Sequence, residues 1–185
     1  MAYELFKTGE FISASKLNAL VPQMITQGQD LEFVGASNTT AVATDIVFRP
    51  DVSAIYNYEL FFCYSADTDV DVTWHWDASQ ATFSRYVAHR APGAASGLNV
   101  GADAVIRRPA QTTAVEVQGG DIDGTIDPVN FMSGYDRGTF TTTSSPAVIV
   151  LYAAAFGLDD DASPNQEKCL IRGGNATRLL FTRVG

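Results

Sequence analysis

Residues 69–77 read Asp-Val-Asp-Val-Thr-Trp-His-Trp-Asp, an unbroken alternation of polar and apolar side chains. On a strand, successive side chains point to opposite faces. Val70, Val72, Trp74 and Trp76 therefore share one face, and Asp69, Asp71, Thr73, His75 and Asp77 share the other. The tryptophan face needs an apolar layer against it, either a second sheet or another subunit. One dry face and one wet face mark an antiparallel β protein.

The same signal continues from about residue 31 to the end. Strands are predicted over 31–37, 40–48, 54–66, 69–78, 83–89, 113–119, 137–143, 147–156, 167–172 and 177–184. These runs are rich in Val, Ile, Phe, Tyr and Thr, which suit a pleated, half-buried surface. Turn chemistry separates them at Arg49-Pro50-Asp51, Ala66-Asp67-Thr68, Ser144-Ser145-Pro146 and Gly173-Gly174-Asn175. No helix of ordinary length is predicted after residue 30. The fold class is all-β: an antiparallel β-sandwich or jelly-roll-like domain over 31–185. Two small-residue loops, 91–101 and 119–134, are long enough to carry a partner contact.

Residues 1–30 read differently, as a short helical anchor. Ser13 can cap a helix that begins at Ala14. Leu17, Leu20, Val21 and Met24 then fall at helical spacing and form a narrow apolar stripe. Pro22 stops or kinks that helix near Val21. About two turns are too few to be stable alone in water. The stripe is therefore predicted to dock, on the β domain, a sister subunit or a larger assembly.

Composition narrows the partners. The chain has 185 residues, 46% apolar and 18% charged, with 12 basic and 21 acidic side chains for a net charge of −9. A nucleic-acid binder needs a basic footprint, and an anionic membrane repels such a chain. No apolar run approaches the about 18 residues of a membrane span. The first residues lack the pattern of a secretion signal. Cys63 and Cys169 both sit in apolar strand patterns and read as buried free thiols. Their separation does not make a zinc site.

Candidate chemistry is sparse. His75 shares a face with Thr73 and Asp77, but these lie about 6.6–6.8 Å along the strand, whereas zinc holds its ligands at about 2 Å. His89 has no recognisable serine or cysteine partner. The segment 121–127, with Asp121, Asp123 and Asp127, lacks the acidic pattern and closing Glu of an EF-hand loop. Asp159-Asp160-Asp161 reads as a solvated turn. No catalytic residue, metal site or cofactor is predicted.

Three segments, in order, resemble structural proteins of tailed bacteriophages, especially those of actinobacteria. The first is Thr8-Gly9-Glu10-Phe11-Ile12-Ser13-Ala14-Ser15-Lys16-Leu17-Asn18-Ala19-Leu20, similar to the N-terminal segment of many phage fibre and virion-surface proteins. The second is Asp45-Ile46-Val47-Phe48, then Tyr56-Asn57-Tyr58-Glu59-Leu60-Phe61-Phe62-Cys63-Tyr64 and residues 69–77. The third is Ala147-Val148-Ile149-Val150-Leu151-Tyr152-Ala153-Ala154, an acidic turn, and residues 173–184. In one departure, Tyr152-Ala153-Ala154-Ala155 stands where relatives often carry a glutamine-rich strand with a tryptophan.

The resemblance implies a non-enzymatic virion protein, assembled in the host cytoplasm, with a β-rich head and an N-terminal anchor. It implies a homotrimer. An excess of apolar strand surface, including Phe61, Phe62, Trp74, Trp76 and Phe83, points to the same state. The other expected partners are the major capsid protein or tail proteins. Capsid decoration or a head-fibre-like role leads, and a tail-tip or tail-fibre component contacting the host is the alternative. An esterase or carbohydrate-active enzyme would need paired groups that the sequence does not single out.

Overall fold

The structure is a computed structural model. It describes residues 21–34, 40–67, 70–90, 104–107, 117–119, 131–156, 158 and 168–185, with the isolated positions 9, 11 and 14. Position 90 and the segments 104–107 and 117–119 are described as backbone only. The strands are β1 (Gln23–Thr26), β2 (Leu31–Val34), β3 (Val42–Phe48), β4 (Ile55–Ala66), β5 (Asp71–Asp77) and β6 (Ala81–Arg90). They continue with β7 (Ala104–Arg107), β8 (Val117–Gly119), β9 (Met132–Thr142), β10 (Ile149–Phe156), β11 (Lys168–Ile171) and β12 (Arg178–Arg183).

These strands form two antiparallel sheets. The smaller runs β3-β10-β5-β8. The larger runs β1-β12-β4-β9-β6-β7, and β11 joins β2 to the second half of β4. From β3 to β6 the chain changes sheet at every strand, and it does so again from β8 to β10. The smaller sheet packs against β4, β6 and β9 of the larger. This is the winding of a jelly roll, two Greek keys folded into facing sheets. Strands β1, β2, β11 and β12 widen the larger sheet beyond that unit.

Alternation builds the core as the sequence reading expects. In β5, Val72, Trp74 and Trp76 are buried while Asp77 is exposed. The layer against them is the other sheet of the same chain. Tyr58 and Phe83 pack edge-on and stacked against Trp76, and Phe62 stacks on Trp74 with ring centroids 4.6 Å apart. Burying each such ring contributes about 1.5–3 kcal/mol. Thr73 departs from the pattern: the alternation assigns it to the wet face, yet it is buried. Among the described residues its hydroxyl has no hydrogen-bond partner.

Close packing requires two glycines in β9. A Cβ at Gly134 would stand 2.6 Å from Cη2 of Trp74. A Cβ at Gly138 would collide with the carbonyl of Ser84 on the neighbouring strand β6. Neither position tolerates a side chain without moving a buried ring or a backbone.

Strand β4 is bonded along both flanks. Residues 55–64 pair with β9, and the opposite edge pairs first with β12 and then with β11. Thr177 repairs the break between those two strands. Its hydroxyl donates to the Cys63 carbonyl at 3.0 Å and accepts from the Cys63 N–H at 3.0 Å. The turn ahead of it places Asn175 at φ 74°, a left-handed conformation that asparagine tolerates.

The N-terminal expectation changes. Residues 15–20, including Leu17 and Leu20, lie outside the described residues. Met24, assigned to the helical stripe, instead lies on strand β1, opposite Leu180 of β12. Val21 stands just ahead of that strand. The larger sheet thus includes residues assigned to the anchor. Beyond β1, Gln27 accepts a hydrogen bond from the Asp45 N–H at 2.9 Å, and the Gly28 N–H donates to the Asp45 carboxylate at 3.0 Å. These bonds tie β3, at the edge of the smaller sheet, to the end of β1.

Candidate functional site

One cluster of buried polar groups is spent on itself. Asp136 of β9 accepts from both Nε and Nη2 of Arg85, which sits on β6, and this ion pair is fully buried. The Tyr58 hydroxyl donates to the same carboxylate at 2.8 Å, and Trp76 Nε1 donates at 3.3 Å. Burial pushes the Tyr58 hydroxyl pKa far up, so it remains a donor at neutral pH. A sealed network of this kind fixes strand register and has no route to a substrate. Cys63 and Cys169 are free and buried, and burial raises both thiols. They are protonated at neutral pH and poor nucleophiles.

The outer face of the larger sheet carries a different pattern. Across β12, β4 and β9 the register aligns Arg178, Phe61 and Tyr135. The Arg178 guanidinium lies 4.6 Å over the Phe61 ring, and Phe61 meets Tyr135 at 5.1 Å. Arg137 covers Tyr135 from 5.7 Å. These aromatic residues are shielded by their own arginine neighbours. Of the five aromatics that suggested a trimer, Phe62, Trp74, Trp76 and Phe83 are buried inside this chain. Only Phe61 is on the outside, and Arg178 covers it.

Concave surface occurs at the β1 edge. A cleft of about 180 Å³ opens where β1, β3, β4 and β12 meet. Phe48, Tyr56 and Phe181 form its floor, with Phe48 4.3 Å from Phe181 and 5.0 Å from Tyr56. Gln23, Arg49, Asp51 and Arg183 form its polar rim, and Val21 borders it. The rim is built by a pinned turn. The Asp51 carboxylate receives Arg183 Nη1 and the Tyr56 hydroxyl, each at 3.0 Å. The Asp51 N–H donates to the Tyr56 oxygen at 3.0 Å, and the Asp51 carbonyl accepts from Thr142 at 2.8 Å. Burial raises the Tyr56 hydroxyl, which keeps its proton on that carboxylate.

The remaining sequence candidates distribute as follows. Val21 and Met24 are both exposed, at 57% and 55%, and Val21 borders the cleft. His75 stacks on Tyr152 across the β5–β10 pair with centroids 5.5 Å apart. Among the described residues no three His, Cys, Asp or Glu side chains converge as metal ligands. Asp121, Asp123, Asp127, the run 159–161 and the loop 91–101 lie outside the described residues. At the end of the 119–134 loop, residues 132–134 belong to β9. The sequence reading missed the cleft, because its rim joins Arg49 and Asp51 to the distant Arg183 only after folding. The Arg49-Pro50-Asp51 turn and Val21 of the apolar stripe are its parts visible in the sequence.

No protein-family model matches the chain, and no curated protein matches it. Among solved structures it is similar to a structure of infectious bursal disease virus Gt strain, at 8% identity and TM-score 0.22, over 88% of this chain and 40% of that one. It is also similar to the Gx strain structure, at 11% identity and TM-score 0.25, over 89% and 38%. A third is the crystal structure of the infectious bursal disease virus VP2 subviral particle, at 9% identity and TM-score 0.22, over 89% and 38%. The chain spans about two fifths of the length of those chains. Likeness at these scores carries no argument about this protein. What its own strand order defines is an all-β protein of two antiparallel sheets wound as a jelly roll.

Proposed function

We propose that this chain is a non-enzymatic structural protein of a tailed-bacteriophage virion. Its β domain projects from the particle as a capsid decoration or head-fibre-like unit, and the N-terminal segment attaches it. The observation that carries the reading is the place of the phage-like segments in the fold. The second and third of them fall on strands β3, β4, β5, β10 and β12, so that part of the resemblance follows the framework of both sheets. Jelly rolls serve in capsids and also in lectins, so winding alone does not choose between the two. Exposed Val21 and Met24, next to the segment 1–20, suit a particle contact. The partners are then the major capsid protein or tail proteins, and the location is the virion.

The trimer rests on the resemblance, since most of the apolar surface that suggested it is covered within one chain. Light scattering on a size-exclusion column tests it: a monomer at micromolar concentration removes the trimer and leaves the virion role standing. The second reading is a tail-tip or tail-fibre component, favoured by the polar cleft beside the attachment edge. Quantitative mass spectrometry of purified particles separates the readings. Hundreds of copies per particle mean decoration, and a few mean the tail. Absence from particles overturns both.

A further inference from the structure

We propose that the cleft at the β1 edge binds a hydroxylated carboxylate, in the chemical class of a sugar acid. The inference stands apart from the particle location. It starts from charge: the chain carries a net −9, yet this rim holds two arginines against one aspartate. The excess of one positive charge matches a monoanion better than a doubly charged phosphate. Arginine forks also fit the planar geometry of a carboxylate.

The donors that remain open have the right kind. Arg183 uses Nη1 on Asp51 and Nε on the Gly185 carbonyl at 3.2 Å, which holds the guanidinium in place. Among the described residues its Nη2 makes no hydrogen bond. Arg49 is exposed and, among the described residues, has neither a hydrogen-bond nor an ion-pair partner. These two guanidinium groups flank one cleft and supply the carboxylate contacts.

The hydroxyl contacts come from the other side of the rim. Both side-chain bonds to the Asp51 carboxylate use Oδ2, which leaves Oδ1 as an acceptor. Gln23 adds an amide that both donates and accepts. The cleft of about 180 Å³ lies below the about 300–1,000 Å³ of pockets for drug-sized ligands. It suits one ring rather than an extended chain. The turn bearing Asp51 is already pinned by Tyr56 and Thr142, so binding orders little further structure.

Calorimetric titration of glucuronate into the full chain at low salt tests this, with glucose and inorganic phosphate as comparisons. Glucuronate is expected to bind, glucose more weakly, and phosphate more weakly as well. Arg49→Gln should weaken glucuronate binding about tenfold without lowering the melting temperature. Amide shifts in the unmodified protein should concentrate at residues 49, 51 and 183, which keeps the test independent of any variant's folding. Absence of glucuronate binding overturns the proposal, as does binding that Arg49→Gln leaves unchanged. Phosphate binding as tightly as glucuronate overturns the choice of carboxylate.

Discussion

The indole of Trp74 occupies the space that a side chain at Gly134 would need. An added Cβ would lie 2.6 Å from Cη2 and 2.8 Å from Cζ2 of that ring. Phe62, directly opposite Gly134 in the β4–β9 ladder, stacks on the same indole. The absence of one side chain thus seats one of the two largest side chains of the core.

Gly134→Ala is expected to destabilise the domain by about 1–3 kcal/mol through overpacking. Trp74→Ala should cost about 3–5 kcal/mol by emptying the site. Asp77→Ala, on the exposed face of the same strand, should stay within about 0.5 kcal/mol. Denaturant melts of the three variants check the order. An effect at Asp77 as large as that at Trp74 would reverse the two faces of β5.

Asp136→Ala should be among the most damaging single changes, at about 3–5 kcal/mol, because it leaves Arg85 charged and buried without its carboxylate. Replacing both as Arg85→Met with Asp136→Leu should recover part of that loss. Recovery is expected to be incomplete, since Tyr58 and Trp76 both lose their acceptor. A double-mutant cycle measured by chemical denaturation gives the coupling. A double variant less stable than Asp136→Ala would contradict the account.

Stability should fall on the alkaline side. Burial raises the hydroxyls of Tyr56 and Tyr58 above 10.0 and the thiols of Cys63 and Cys169 above 9.0. As pH rises through those ordinary values, the unfolded chain releases protons that the folded chain keeps. The unfolded state then binds fewer protons, and unfolding becomes easier as pH rises. The contribution is complete below about pH 9 and declines above it, by at most about 1.4 kcal/mol per pH unit for each group. Melting temperatures from pH 7 to 11 check this, and a flat profile would mean that these groups are not sealed from water.

Removing residues 1–20 should leave the β domain folded, whereas removing residues 1–30 should weaken it. The longer deletion takes away β1 and Gln27, and with them the ladder to β12 and the tie to Asp45. Comparing the two truncations by circular dichroism and thermal melts checks the placement of the boundary. Equal melting temperatures would show that β1 contributes nothing to the fold.

Most of the framework was legible because its strands are long and one-sided. β4 and β5 announce themselves through aromatic, leucine and valine residues at every second position. β1 was not legible: Met24 happens to extend a helical spacing from Leu17. Pairing with β12, rather than local preference, makes those four residues a strand. β7 has four residues, too few to show a period. The start of β9 was hidden by Gly134 and Gly138, whose small size answers to Trp74 and Ser84 on other strands. Chemistry was legible only as far as neighbouring residues carry it. The cleft depends on groups brought together from β1, β3, the turn after it, β4 and β12.

The bonding of β4 on both flanks also sets a hierarchy in time. Each of its amides points to a single neighbour, so one set reaches solvent only when β9 separates and the other only when β12 or β11 does, and exposing all of them is close to complete opening of the larger sheet. Among the described residues β1 has a partner on one side and four paired positions, so it can part from β12 while the rest stays closed. Hydrogen exchange would therefore run from the β1 edge inward, fastest at Gln23 and slowest near Leu60. β1, one of the strands bordering the cleft, can breathe without loosening the aromatic core behind it.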